Sequence, residues 1–163
     1  MSTGETPLDF ARRLAEQKAL AVSREVGGTA VVLGCDTVVI LDNQILQKPE
    51  DERQAFQTLS RLSNREHIVC TALALVSETE IAASGHELTR VLFNRVSAEQ
   101  INEYIATGEP MDKAGAYGIQ GMGAFLVDRI EGNLDNVIGL PRKLLDELAG
   151  DVLRSLKDPG NRR

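Results

Sequence analysis

The chain contains no tryptophan, and aromatics make up only 4% of its 163 residues, so it offers no obvious set of platforms on which nucleic-acid bases could stack. Basic residues are outnumbered too. Eighteen Lys and Arg against 24 Asp and Glu leave a net charge of −6, which argues against a general binder of nucleic-acid backbones. The same balance allows a small phosphorylated molecule, which a few local lysines can hold. No apolar run approaches the roughly 18 residues of a membrane span, and the N-terminus has no signal-peptide core. The expected compartment is the cytoplasm, with no membrane partner. Cys35 and Cys70 are the only cysteines, and both lie in strand-like apolar runs. They read as buried free thiols rather than a bridge or a metal pair. His67 and His86 stand far apart and outside any ligand-type cluster, which argues against a zinc site or a Ser-His-Asp triad.

The 42% hydrophobic and 26% charged content is that of an ordinary globular domain with a sizeable core. Pro7 opens a helical pattern in which Phe10, Leu14, Ala15, Lys18, Ala21 and Val22 recur at spacings of three and four. The helix is expected from Pro7 to Val26, ended by Gly27-Gly28. Thr29 to Gly34 reads as a buried strand, and Val38 to Leu46 as a hairpin turning at Asp42-Asn43. Acids after Pro49 open a second helix whose apolar face is Ala55, Leu59 and Leu62. His67–Val76 and Leu88–Val96 are β-rich, around a polar connection from Glu78 to Gly85. Ser97 and Gln100 have capping-box spacing, and the helix they open is expected to end at Thr107-Gly108. A strand over Ala124–Ile130 and a helix over Pro141–Leu148 follow. Residues 1–157 then form one α/β domain, a mixed sheet with flanking helices, and residues 158–163 a flexible tail.

Between the helix end at Thr107-Gly108 and the strand from Ala124 lies Asp112-Lys113-Ala114-Gly115-Ala116-Tyr117-Gly118-Ile119-Gln120-Gly121, a charged, glycine-rich run without clean periodicity. Glycine is costly in regular elements and is used where the backbone turns or a ligand comes close. Three other residues could serve chemistry beside such a loop. Asp36 ends an apolar strand run, where a carboxylate can hold Mg²⁺ or Mn²⁺, or orient or deprotonate a water. Lys48 stands on a helix entry stiffened by Pro49, a position suited to phosphate. Lys18 lies within the apolar spacing of the first helix, so its stem runs along the core or its ammonium points into a polar cleft. One carboxylate, three lysines counting Lys113, and a glycine-rich loop suit a magnesium-bound phosphate chain.

The chain resembles the Maf family of nucleoside triphosphate pyrophosphatases. The resemblance is carried by Gly34-Cys35-Asp36-Thr37-Val38-Val39, Lys48-Pro49, Leu62-Ser63-Asn64-Arg65-Glu66-His67, the run from Gly108 to Gly121, and Asn136-Val137-Ile138-Gly139-Leu140-Pro141. It implies two lobes around a cleft, in an inosine-triphosphatase-like fold. It also implies a cytoplasmic enzyme, often a homodimer, that uses a divalent metal cation (Mg²⁺ or Mn²⁺) and cleaves a nucleoside triphosphate into monophosphate and pyrophosphate. The loop version ending in Ile119-Gln120-Gly121 is similar to that of the dTTP and UTP branch. By resemblance Asp36 is the catalytic proton acceptor and metal ligand, Lys18 and Lys48 are active-site lysines, and Thr37 and Gln120 set base preference. Asp112 and Lys113 match the family motif. The family's Ser-x-Ser-Pro-Arg-Arg loop and a catalytic glutamate after it have no counterpart here. That departure gives the expectation of an N-terminally truncated chain, and an alternative reading: a catalytically impaired relative that binds nucleotide or pairs with a partner.

Overall fold

The computed structural model of the chain describes residues 4–157. The tail expected over 158–163 lies outside the described residues. Five strands form one sheet in the order β2-β1-β3-β4-β5. They are β1 (Val32–Leu41), β2 (Gln44–Leu46), β3 (Glu66–Ser77), β4 (Glu80–Phe93) and β5 (Val127–Glu131). The helices are α1 (Pro7–Glu25), α2 (Glu52–Leu62), α3 (Ala98–Ala106), α4 (Leu134–Ile138) and α5 (Arg142–Lys157). The result is an α/β fold of a sheet with flanking helices. Among the described residues no helix is long and apolar enough to cross a membrane.

The chain divides into two compact units. Among the described residues the first comprises 4–36, 71–87 and 139–157, the second 37–70 and 88–138.

In the first unit, Thr6 caps α1 by accepting the Asp9 amide at 3.2 Å, and Pro7 takes the first turn, where its missing N–H costs nothing. Gly27 and Gly28, with φ of 68° and 69°, end the helix as expected. Its buried stripe differs from the expected one. Ala11, Ala15, Ala19 and Ser23 are buried, whereas Val22 is 46% exposed and Lys18 is exposed. The reason is Gly34 on β1. A Cβ there would lie 2.1 Å from the Ala15 carbonyl oxygen and 2.8 Å from the Ala19 Cβ. Helix and strand touch backbone to backbone, and only small side chains fit between them. A second correction concerns β1 itself. The run from 29 to 34 is not a separate buried strand; β1 continues through Asp36 to Leu41, and its start is open, with Leu33 39% exposed. Leu73, Leu75, Leu148 and Val152 form this unit's core.

In the second unit, the β1–β2 hairpin pairs Leu41 with Gln44 across Asp42-Asn43, whose φ of 51° and 60° define the primed turn that twists with its strands. Asp51 caps α2, and Ala55, Leu59 and Leu62 are fully buried as expected, each leucine contributing roughly 1.5–3 kcal/mol of burial. Ser97 and Gln100 form both halves of a capping box on α3. These elements enclose a core containing Val39, Val69, Val91, Phe93, Tyr104 and Leu126.

Three further expectations are corrected. Glu80–Gly85 is strand rather than connection, because the chain turns on Glu78 and Thr79 alone, at φ 53° and 68°. Ala124–Leu126 belongs to a 3-10 turn, and β5 starts at Val127. The last helix starts at Arg142 and runs to Lys157, with the short α4 before it.

Candidate active site

Asp36 lies within β1 rather than at its end, and its side chain is only 12% exposed. The close approach at Gly34 brings α1 alongside, and Lys18 reaches across from it. Its Nζ donates to Asp36 Oδ1 at 2.6 Å and to the Cys35 carbonyl at 3.3 Å. The lysine is not part of the buried stripe of α1. It sits on an exposed flank of α1 and directs its charge at a carboxylate. Beside it, the Cys35 thiol donates to the Gly139 carbonyl at 2.8 Å. Burial pushes that thiol's pKa up, and the Asp36 charge adds to this, against Lys18. Cys35 and Cys70 are not joined in a disulfide; Cys70 is buried and Cys35 only half-buried. An almost buried carboxylate with one cation on it can accept a proton or offer a hard oxygen to an ion.

The second unit carries Thr37, Lys48, Asp112, Lys113 and Gln120. Thr37 follows on β1 and is half-buried. Lys48 is exposed on the link between β2 and α2. Lys113 Nζ donates to Asp112 Oδ1 at 2.5 Å. That hydrogen bond holds the Asp112 carboxyl below the usual carboxylate range, and the charges of Lys113 and Lys48 act in the same sense. Lys48, Asp112 and Lys113 thus share one electrostatic neighbourhood.

Short 3-10 turns over Glu109–Asp112, Ala114–Ala116 and Met122–Leu126 lie in and around the glycine-rich run. Gly115 has φ 69°, and a Cβ on it would sit 2.9 Å from both Val39 methyls. That glycine is needed for conformation and for contact alike. Tyr117 of this run meets two rings from the core: His67, Phe93 and Tyr117 lie edge to face at centroid distances of 4.7 to 5.4 Å. His67 Nε2 is 2.8 Å from the Tyr117 hydroxyl, while Nδ1 is buried without a hydrogen-bond partner among the described residues. Burial lowers the His67 pKa to about 4, so this ring is a neutral core residue.

Sequence reasoning missed Glu109. Its Oε1 accepts the Tyr104 hydroxyl at 2.9 Å and the Gly123 amide at 3.1 Å, and its Oε2 accepts the Met122 amide at 2.8 Å. Burial raises its pKa, but the two amides and the phenol outweigh this and hold it below the usual range. Tyr104 Oη in turn accepts the Gly118 amide at 3.0 Å. The glycines were the available signal. A Cβ on Gly121 would lie 2.4 Å from Glu109 Oε2, and one on Gly123 2.5 Å from the Tyr104 hydroxyl. Both are glycine because backbone must wrap closely around these two side chains. Gln120, between the held amides, is exposed.

Comparison with known proteins agrees with the motif pattern. Residues 2–152 match the model of a family described as Maf-like protein. A dTTP/UTP pyrophosphatase of Aquifex aeolicus is 48% identical over 146 residues, covering 87% of this chain and 76% of the relative. One of Symbiobacterium thermophilum is 51% identical over 138 residues, covering 84% and 70%. One of Photorhabdus laumondii is 42% identical over 158 residues, covering 97% and 80%.

Proposed function

We propose that this chain, which belongs to the Maf family, hydrolyses pyrimidine nucleoside triphosphates, dTTP, UTP and modified relatives, to nucleoside monophosphate and pyrophosphate. The names of its relatives support the substrate class. The observation that carries the chemistry is the Lys18–Asp36 pair, with a carboxylate 12% exposed and an ammonium 2.6 Å away.

In this reading a water oxygen attacks the α-phosphorus as the bond from that phosphorus to the bridging oxygen breaks. Pyrophosphate leaves with that oxygen, and Asp36 takes the water's proton. Lys18 engages Oδ1, which supports Oδ2 as the oxygen that takes the water's proton. Lys18 and Lys48 balance negative charge as pyrophosphate departs. Thr37 and Gln120 read the base, since a hydroxyl and an amide can each donate and accept toward the polar edge of a pyrimidine.

A divalent cation fits this donor set in kind. Asp36 supplies a hard oxygen, and Mg²⁺ is commonly held by one or two carboxylates plus substrate phosphates. Among the described residues no group of three or more His, Cys, Asp or Glu could hold a metal, so the triphosphate would provide the remaining oxygens. When bound, such an ion would neutralise phosphate charge. A cytoplasmic homodimer is part of the same reading.

The test is pyrophosphate release from dTTP and UTP with Mg²⁺ or Mn²⁺, comparing the parent chain with Asp36→Asn. The variant should lose on the order of 10²–10⁴ in kcat, the span of a general base. A variant as active as the parent would remove Asp36 from the mechanism. Binding of UTP without turnover by the parent would leave a nucleotide-binding relative instead.

A further inference from the structure

We infer that Glu109 and Tyr104 are positioning residues for base recognition, a carboxylate–phenol clamp that fixes the Gly118–Gly123 backbone and thereby aims Gln120. The inference rests on the proposed role of Gln120 in reading the base. Three backbone amides of this segment end on the pair: Gly118 on Tyr104 Oη, and Met122 and Gly123 on the two oxygens of Glu109. The phenol closes the clamp by donating to the carboxylate at 2.9 Å. Held amides thus lie on both sides of Gln120, at 118 and at 122.

The segment is anchored at Ile119, which packs partly buried against the core, and the clamp adds hydrogen bonds on both sides of that anchor. The segment contains three glycines in six residues, the composition of a flexible linker, and Gln120 itself is exposed. An exposed amide on a free glycine loop would sample many orientations, and selectivity needs it in one. The clamp is also built in. The Cβ distances of 2.4 Å at Gly121 and 2.5 Å at Gly123 mean that the glycines exist for the clamp, not for mobility. The carboxylate, unlike an amide, accepts at both oxygens, so it alone can take two amides and a phenol at once. Tyr104 is itself buried on α3, as are Ile101 and Ile105, which gives the clamp a fixed base.

The experiment compares parent, Glu109→Gln, Tyr104→Phe and Gln120→Ala for kcat and KM with UTP and with ATP, and for inhibition by pyrophosphate. Pyrophosphate has no base, so it reports the phosphate half of the site alone. Glu109→Gln keeps the shape but turns one acceptor into a donor. Tyr104→Phe removes the phenol and serves if Glu109→Gln does not fold. The expected result is a loss of about tenfold in the UTP over ATP ratio of kcat/KM in both, the size of one or two hydrogen bonds. The loss should fall on KM for UTP, with pyrophosphate inhibition within about twofold of the parent, a difference too small to represent a lost hydrogen bond. An unchanged ratio in a folded Glu109→Gln or Tyr104→Phe, alongside a reduced ratio in Gln120→Ala, overturns the clamp. Equal weakening of pyrophosphate and UTP also overturns it, because the pair would then be a general structural support. An unchanged ratio in Gln120→Ala overturns the base-reading role itself.

Discussion

Lys18 Nζ and Asp36 Oδ1 are 2.6 Å apart because residue 34 has no side chain. The pair is made by a helix and a strand that meet at Ala15, Ala19 and Gly34. Gly34→Ala should therefore damage stability and activity together. A methyl 2.1 Å from the Ala15 carbonyl must push α1 away from β1. Overpacking of this kind costs about 1–3 kcal/mol, read as a lower urea midpoint. The same displacement draws Lys18 off Asp36, so pyrophosphate release should fall in the protein that remains folded.

Lys18→Met weights those two effects toward activity. The lysine side chain is 58% exposed but that of Asp36 only 12%, so removing the cation leaves a mostly buried carboxylate and should cost about 1 kcal/mol, the low end of the Gly34→Ala range. Turnover should fall by about 10²-fold, the size of one lost electrostatic contact to a transition state. A variant with full activity would make Lys18 a surface residue that happens to face Asp36.

His67 sets a pH dependence of stability. Its folded pKa is lowered to about 4 by burial, below the ordinary value of 6.5. Between these values the unfolded chain binds the extra proton, so stability rises with pH across that window and falls as the pH drops through it. The full difference is on the order of 3 kcal/mol. Urea unfolding at pH 7 and pH 4.5 should show a larger loss in the parent than in His67→Gln. Equal losses in both would mean that His67 is not the titrating group.

Gln120→Ala should leave stability within about 0.5 kcal/mol, as befits an exposed residue. Its effect should appear only in base preference, measured as the ratio of kcat/KM for UTP and ATP, with a fall of about tenfold.

Much of this molecule is legible where local chemistry decides structure. Pro7, the acids after Pro49 and Ser97 with Gln100 announce their helices, and Asp42-Asn43 its hairpin. The β3–β4 turn is not legible in the same way, since Glu78 and Thr79 carry none of the usual preference for positive φ. The buried stripe of α1 was misread because apolar size suggested Leu14 and Val22, whereas the requirement at Gly34 is smallness. Asp36, Lys18 and the glycine-rich loop stand out as chemistry-bearing residues. Glu109 does not, because its role consists of accepting backbone amides 13 and 14 residues away. Only the folded chain brings those amides to it.

The most direct test of the account is the identity of the products from UTP. With Mg²⁺ or Mn²⁺ present, the parent chain should release UMP and pyrophosphate in equal amounts, and Asp36→Asn should release almost none. UDP and inorganic phosphate as products, or equal turnover by parent and variant, would contradict it.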